Sequence, residues 1–132
     1  MNRTMMQLTI LDIDELKPHE KVVQSNLKEV LNSLEKEGVL KEPIVADFNT
    51  KVILDGHHRY NAFKELGEEK IPCVLVDYFS ENIKVEHRKE GEISKQEVVE
   101  KGLSNELFPP KTSKHTLKGK ISSEIDYSLN SD

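Results

Sequence analysis

The sequence holds a single cysteine, Cys73, so no intrachain disulfide can form and a structural zinc site built on several thiolates is excluded. That thiol lies in an apolar run and reads as buried and inert, which suits a reducing compartment. Positive charge is also short. Lys and Arg number 19 against 24 Asp and Glu, a formal net charge of -5, so no overall field draws the chain onto a phosphate backbone and nucleic acid is not expected as a partner. A local pocket for one small phosphorylated ligand is compatible with that charge, because it needs only an arginine and a few N–H donors. No segment approaches the roughly 20 apolar residues that a bilayer demands, and the first residues lack the apolar core of a signal peptide. The expectation is a soluble, cytoplasmic protein with no membrane partner. Familiar catalytic templates are missing too: there is no Gly-x-x-x-x-Gly-Lys-Ser/Thr, Gly-x-Gly-x-x-Gly or Gly-x-Ser-x-Gly. His57 and His58 are adjacent, so they cannot share a helical face as an i, i+4 zinc pair would.

What is present fits one domain. The chain has 132 residues, 36% hydrophobic and 33% charged, enough for a modest core. Alternation over Gln7–Ile13 predicts a first strand. From Glu20 to Glu37 the positions Val23, Leu27, Val30, Leu31 and Leu34 recur at helical steps, and Gly38 is placed to stop that helix. Pro43–Phe48 and Lys51–Leu54 read as strands joined by a tight Asn49-Thr50 hairpin. A short helix through His58, Ala62, Phe63 and Leu66 follows, then a buried strand over Ile71–Tyr78. Ile83–His87 reads as an edge strand, Ser94–Lys101 as a helix capped by Ser94, and Leu107–His115 as an irregular loop. The tail from about Ser122 is polar and expected to fray.

Between the strand ending at Leu54 and the following helix stands Asp55-Gly56-His57-His58-Arg59. A glycine turn from a strand into a helix presents the N–H groups of the first helical turn, and the helix dipole adds partial positive charge there. Gly56 would let a ligand approach the backbone, Arg59 could fork onto phosphate oxygens, and the imidazoles could donate. Local chemistry leaves a second reading open, in which Asp55 caps the helix and the histidines lie on the surface. The density of His, His and Arg after Asp-Gly favours the anion site. Glu20 is a dipole partner in the first turn of its helix or, near a phosphate site, a candidate base for a hydroxyl nucleophile. Lys111, Thr112, Ser113, Lys114 and His115 after the diproline suit a small anion as well as a solvated loop.

Val52 through Ala62, centred on Asp-Gly-His-His-Arg, resembles the phosphate-binding box of the ParB/sulfiredoxin-like superfamily in the version seen in free serine kinases. Lys17-Pro18-His19-Glu20, Pro43-Ile44-Val45 and Phe108 through His115 resemble three further segments of that subgroup. The resemblance runs from about Leu8 to His115 and implies an α+β fold, a single ParB/sulfiredoxin-like domain with a small mixed sheet flanked by helices over residues 1–121, followed by a flexible tail over 122–132. It implies phosphoryl transfer from ATP or ADP to the hydroxyl of L-serine, giving O-phospho-L-serine, a product suited to cysteine biosynthesis. Glu20 is then the catalytic base; Asp55, Gly56, His57, His58 and Arg59 hold the nucleotide phosphates, with Asp55 also near a magnesium ion. Thr112, Ser113 and His115 contact the serine, Ser113 standing where the subgroup has threonine. The kinases of that subgroup are considerably longer than this chain. A ParB-like nucleotide-binding regulatory module without turnover is the alternative, although no helix-turn-helix follows to act with it. A sulfiredoxin-like reductase ranks below both, because Cys73 is in a strand and not beside the turn.

Overall fold

The computed structural model describes residues 6–117, 125 and 127–129. Strand β5 (Lys70–Val76) is buried from Ile71 onward and β3 (Ile44–Asp47) along its whole length, the signature of strands covered on both faces. They pair in parallel, Ile44 opposite Cys73 and Asp47 opposite Val76. Strand β1 (Met6–Asp12) runs antiparallel to β5, and β4 (Ile53–Asp55) antiparallel to β3, which completes a mixed four-stranded sheet in the order β1-β5-β3-β4. Two smaller antiparallel pairs flank it: β2 (Val39–Leu40) with β8 (Tyr127–Ser128), and β6 (Ile83–His87) with β7 (Ser113–Leu117).

The two-residue period of the strands divides the core in two. Ile44, Ala46, Ile53, Ile71, Cys73 and Leu75 face one side, where Leu27 and Leu34 of helix α1 (Gln24–Glu37) and Ala62 and Phe63 of α2 (His57–Glu65) cover them. Val45, Leu54, Val74 and Val76 face the other, against Tyr78, Ile83 and the Val98-Val99 pair of α3 (Lys95–Leu103). Cys73 is fully buried, and burial pushes its thiol up to about 12, so it stays protonated and unreactive. Helix α3 begins as its sequence predicts, with Ser94 accepting from the Glu97 N–H and Glu97 returning the bond.

Three expectations need correction. Helix α1 starts at Gln24, not at Glu20. The backbone before it is already spent: Lys17 exchanges bonds with Lys51 and Ile53, the Phe108 N–H donates to the His19 carbonyl, and the Lys21 N–H to the Phe108 carbonyl. Glu20 therefore sits on an extended segment that bridges Phe108 in parallel. The β3–β4 connection is wider than Asn49-Thr50, because Asp47 accepts from both the N–H and the hydroxyl of Thr50 (2.9 and 2.7 Å) and Lys51 closes the turn at φ +64°. Ser113, Lys114 and His115 belong to a strand and not to the loop, since β7 pairs with β6 in register, Val85 opposite His115. Gly38 ends α1 as its position suggests, at φ +72° with its N–H on the Leu34 carbonyl. The segment expected to fray lies mostly outside the described residues; its described part contains β8.

Candidate active site at the β4–α2 turn

Strand β4 ends at Asp55, and Gly56 turns the chain into α2 at φ +103°. A side chain is barred there twice over. The conformation is left-handed, and a Cβ would stand 2.5 Å from Cγ2 of Ile44. Gly56 is the N-cap residue and brings no side-chain acceptor, so the donors of the first turn and the positive end of the dipole keep their capacity for an anion. Asp55 is not the cap. Its carboxylate is exposed and pairs with Arg59 at 3.4 Å, which removes the capping alternative that local sequence left open. Arg59 is itself committed: its Nη1 donates to the Glu42 and Pro43 carbonyls at 3.1 and 2.8 Å, so only part of its fork is free.

Neither histidine of the turn is a simple donor, and His58 is only half-buried. His57 is buried, and its Nε2 accepts from the His19 N–H at 3.1 Å. His58 Nε2 accepts from the Val23 N–H at the same distance, which ties the start of α1 to the start of α2. Accepting at Nε2 places the proton of each neutral ring on Nδ1. Burial lowers the pKa of His57 well below the usual histidine value, reinforced by the neighbouring His19, His115 and His58. Burial likewise lowers His19, and brings His115 to about 3. These rings are uncharged at neutral pH. The positive charge around the turn must come from Arg59, Arg88 and Lys111.

Facing the turn, residues far apart in sequence converge on Glu20. Its Oε1 accepts three hydrogen bonds, from the Thr112 N–H (3.1 Å), the Ser113 N–H (3.0 Å) and the Ser113 hydroxyl (3.0 Å). A carboxylate only accepts, so the Ser113 proton goes to Glu20 and His19 Nε2, 3.1 Å from the same hydroxyl, is the donor to it. One oxygen of Glu20 is thus fixed from three directions and the other is left for chemistry. His115, next along β7 but one, meets the Tyr78 hydroxyl at 2.8 Å through Nε2. The Thr112 hydroxyl turns the other way and holds the Pro109 carbonyl at 2.6 Å, closing the diproline turn.

A cavity of about 330 Å3 joins the two walls, lined by Glu20, by Asp55, Gly56, His57, His58 and Arg59, and by Ser113 and His115. Of the residues expected from sequence, Thr112 lines instead a second pocket that shares Lys111 with this one, and Lys114 lines neither. Arg88 and Lys111 line the main cavity as well. Sequence reasoning gave Arg88 no role, since it stands in the polar run Glu86-His87-Arg88-Lys89-Glu90 with nothing to distinguish it. His19 and Tyr78 also went unassigned; a histidine beside proline and a tyrosine ending an apolar run carry no local sign of what they will touch. Among the described residues no cluster of three metal-ligating side chains occurs. Magnesium, however, is commonly held by one or two carboxylates together with substrate phosphates, and an exposed Asp55 carboxylate beside the helix N-terminus fits that mode.

The layers, the mixed sheet and the glycine turn opening on a polar cleft define an α+β domain with one helix N-terminus facing that cleft. Residues 2–89 match the ParB N-terminal domain, and the chain belongs to that family. It is 40% identical over 80 residues to an ATP-dependent L-serine kinase of Staphylothermus marinus, covering 58% of this chain and 32% of the relative. It is 44% identical over 79 residues to a ParB-like protein of Sulfolobus acidocaldarius, covering 60% of this chain and 39% of that one. The chain thus spans between about a third and two fifths of the length of these curated relatives. A solved structure of a free serine kinase in complex with AMP superposes with a TM-score of 0.82 at 18% identity, over 92% of this chain and 91% of that one; at that identity the likeness concerns the fold.

Proposed function

We propose that this chain is the nucleotide-dependent kinase domain of a free L-serine kinase, transferring a phosphoryl group from ATP or ADP to the serine hydroxyl and releasing O-phospho-L-serine. The domain would include β8, which pairs with β2, act in the cytoplasm, and supply a precursor for cysteine biosynthesis. The observation that carries the proposal is the Glu20 carboxylate, held at Oε1 by three donors and lining the same cavity as the N-terminus of α2. The relatives' names support the choice of substrate.

In this reading the N–H groups of the α2 first turn, with Gly56 allowing close approach, bind the phosphates of the nucleotide. His57 and His58 brace the two segments behind them, and Arg59 keeps Asp55 and the Pro43 carbonyl in place. Magnesium, held by Asp55 and the phosphates, would neutralise charge on the transferred group. The free oxygen of Glu20 takes the proton of the serine hydroxyl as its oxygen bonds to the terminal phosphorus. The bond from phosphorus to the bridging oxygen breaks, and the shortened nucleotide leaves with that electron pair. Ser113 and His19 hold the base in position throughout, while His115, which lines the same cavity, would contact the serine.

Phosphorus NMR of the protein with magnesium, L-serine and either ATP or ADP tests this directly. Phosphoserine is expected with at least one donor, and Glu20→Gln should lower the turnover roughly 10³-fold while nucleotide still binds. Nucleotide binding without product from either donor would overturn the kinase reading. Selective binding of CTP, indifferent to serine, would instead favour the regulatory module suggested by the ParB-like relative.

A further inference from the structure

Arg88 follows β6, and the proposed reaction leaves it without a task. Its guanidinium is placed by the neighbourhood: the main-chain N–H donates to the Thr112 carbonyl at 2.9 Å, and Nε donates to the Ser113 carbonyl at 2.8 Å. Among the described residues, nothing takes either terminal amine of the fork. No ion pair of Arg88 occurs among the described residues, whereas Arg59 is paired with Glu42 and Asp55. Arg88 nevertheless lines the main cavity, and its charge is close enough to His115 to contribute to the depressed pKa of that ring.

Resting on the serine kinase reading, we infer that Arg88 binds the α-carboxylate of the acceptor and so selects a free amino acid over an amine or a peptide-linked serine. Glu20 and Arg88 grip the same residue from its two ends: Glu20 Oε1 takes the N–H and hydroxyl of Ser113, and Arg88 Nε takes its carbonyl. The base and the cation are therefore separated by about one residue of chain, which is also the separation of the hydroxyl and the carboxylate within serine itself. A guanidinium already fixed at Nε presents its two outer amines as a fork, the geometry that matches a carboxylate with two parallel bonds. The rings of His19, His57 and His115 are uncharged at neutral pH and cannot substitute for it. Lys111 also lines this cavity and is exposed, as Arg88 is, but among the described residues no hydrogen bond fixes its ammonium as Nε of Arg88 is fixed on Ser113.

The test compares L-serine with L-serinamide, which keeps the hydroxyl and the amine but lacks the carboxylate. With wild-type protein, kcat/KM should be higher for L-serine. Arg88→Gln should lower kcat/KM for L-serine roughly 50-fold, mostly through KM, while that for serinamide and the Kd for nucleotide stay within about twofold. Arg88→Lys, which keeps the charge without the fork, should recover part of the loss. An equal fall for both acceptors would show that Arg88 only supports the Ser113 segment, and a matching loss of nucleotide affinity would place it at the phosphates; either result overturns the inference and leaves the kinase reading standing. Calorimetry of L-serine in the presence of a non-hydrolysable nucleotide separates the two claims. Serine binding that depends on Arg88 without any turnover upholds the inference and overturns the kinase reading, and no serine binding at all overturns both.

Discussion

The two walls of the cavity are built by different means. The Asp55–Arg59 wall is local: one strand end, one glycine and one helical turn, locked because Gly56 stands against Ile44 of the neighbouring strand. The opposite wall is assembled from Glu20 and the Thr112-Ser113 segment, which lie more than ninety positions apart and meet through one carboxylate oxygen. A local wall fails when its own backbone is disturbed. A wall made by convergence fails when the polar groups holding it change their protonation or lose a partner.

The sharpest way to break the first wall is Gly56→Ala. The new Cβ meets Ile44 Cγ2 at 2.5 Å in a backbone conformation that L residues avoid, so strain and overpacking act together. A loss of roughly 4 kcal/mol of stability is expected, read as a lowered urea midpoint with unchanged m, together with loss of nucleotide binding. If the loss were less than about 1 kcal/mol, the close approach to Ile44 would not be what fixes the turn.

The second wall should yield to acid. His115 on β7 has a folded pKa of about 3, lowered by burial, while the unfolded chain titrates near the ordinary 6.5. Between those values the unfolded state binds more protons, so stability is fully present above the unfolded pKa and is lost as pH falls toward the folded one. His115 alone would account for about 3 kcal/mol by about pH 4.5, and burial pushes His19 and His57 in the same direction. Replacing the ring by a group that does not titrate, His115→Gln, should flatten the slope of stability against pH over this window. An unchanged slope would mean that His115 is not held neutral by the fold.

The same contrast explains what the sequence disclosed. The β3 and β5 runs, the second helix and the glycine turn rest on local periodicity and on one residue's conformational freedom, and they stand where the pattern put them. The start of α1 was misplaced because the main chain of His19 and Lys21 is claimed by Phe108, a partner that periodicity around Glu20 cannot reveal. His115 looked like part of a loop because its strand exists only by pairing with Val85. Glu20, Ser113 and His115 could be nominated through resemblance, yet the His19 and Tyr78 contacts and the place of Arg88 follow from convergence and leave no trace in neighbouring residues.

Asp55 gives the smallest effect and the cleanest separation of stability from function. Were it the helix cap, Asp55→Asn would be nearly neutral because asparagine caps as well, and Asp55→Ala would cost about 1 kcal/mol. The carboxylate instead makes an exposed pair with Arg59 at 3.4 Å, four residues further along the chain. Pairs of that kind are worth only about 0.5 kcal/mol, so both substitutions should lower stability by no more than that. Their effect should fall on the ligand: magnesium is expected to strengthen nucleotide binding in the unaltered protein and to do so less once the carboxylate is gone, measured as the ratio of Kd with and without the ion. A full cap-sized loss on Asp55→Ala would return the residue to a structural role in the first wall. An unchanged magnesium ratio in both variants would remove Asp55 from the metal's surroundings and leave the phosphates to hold it by other means.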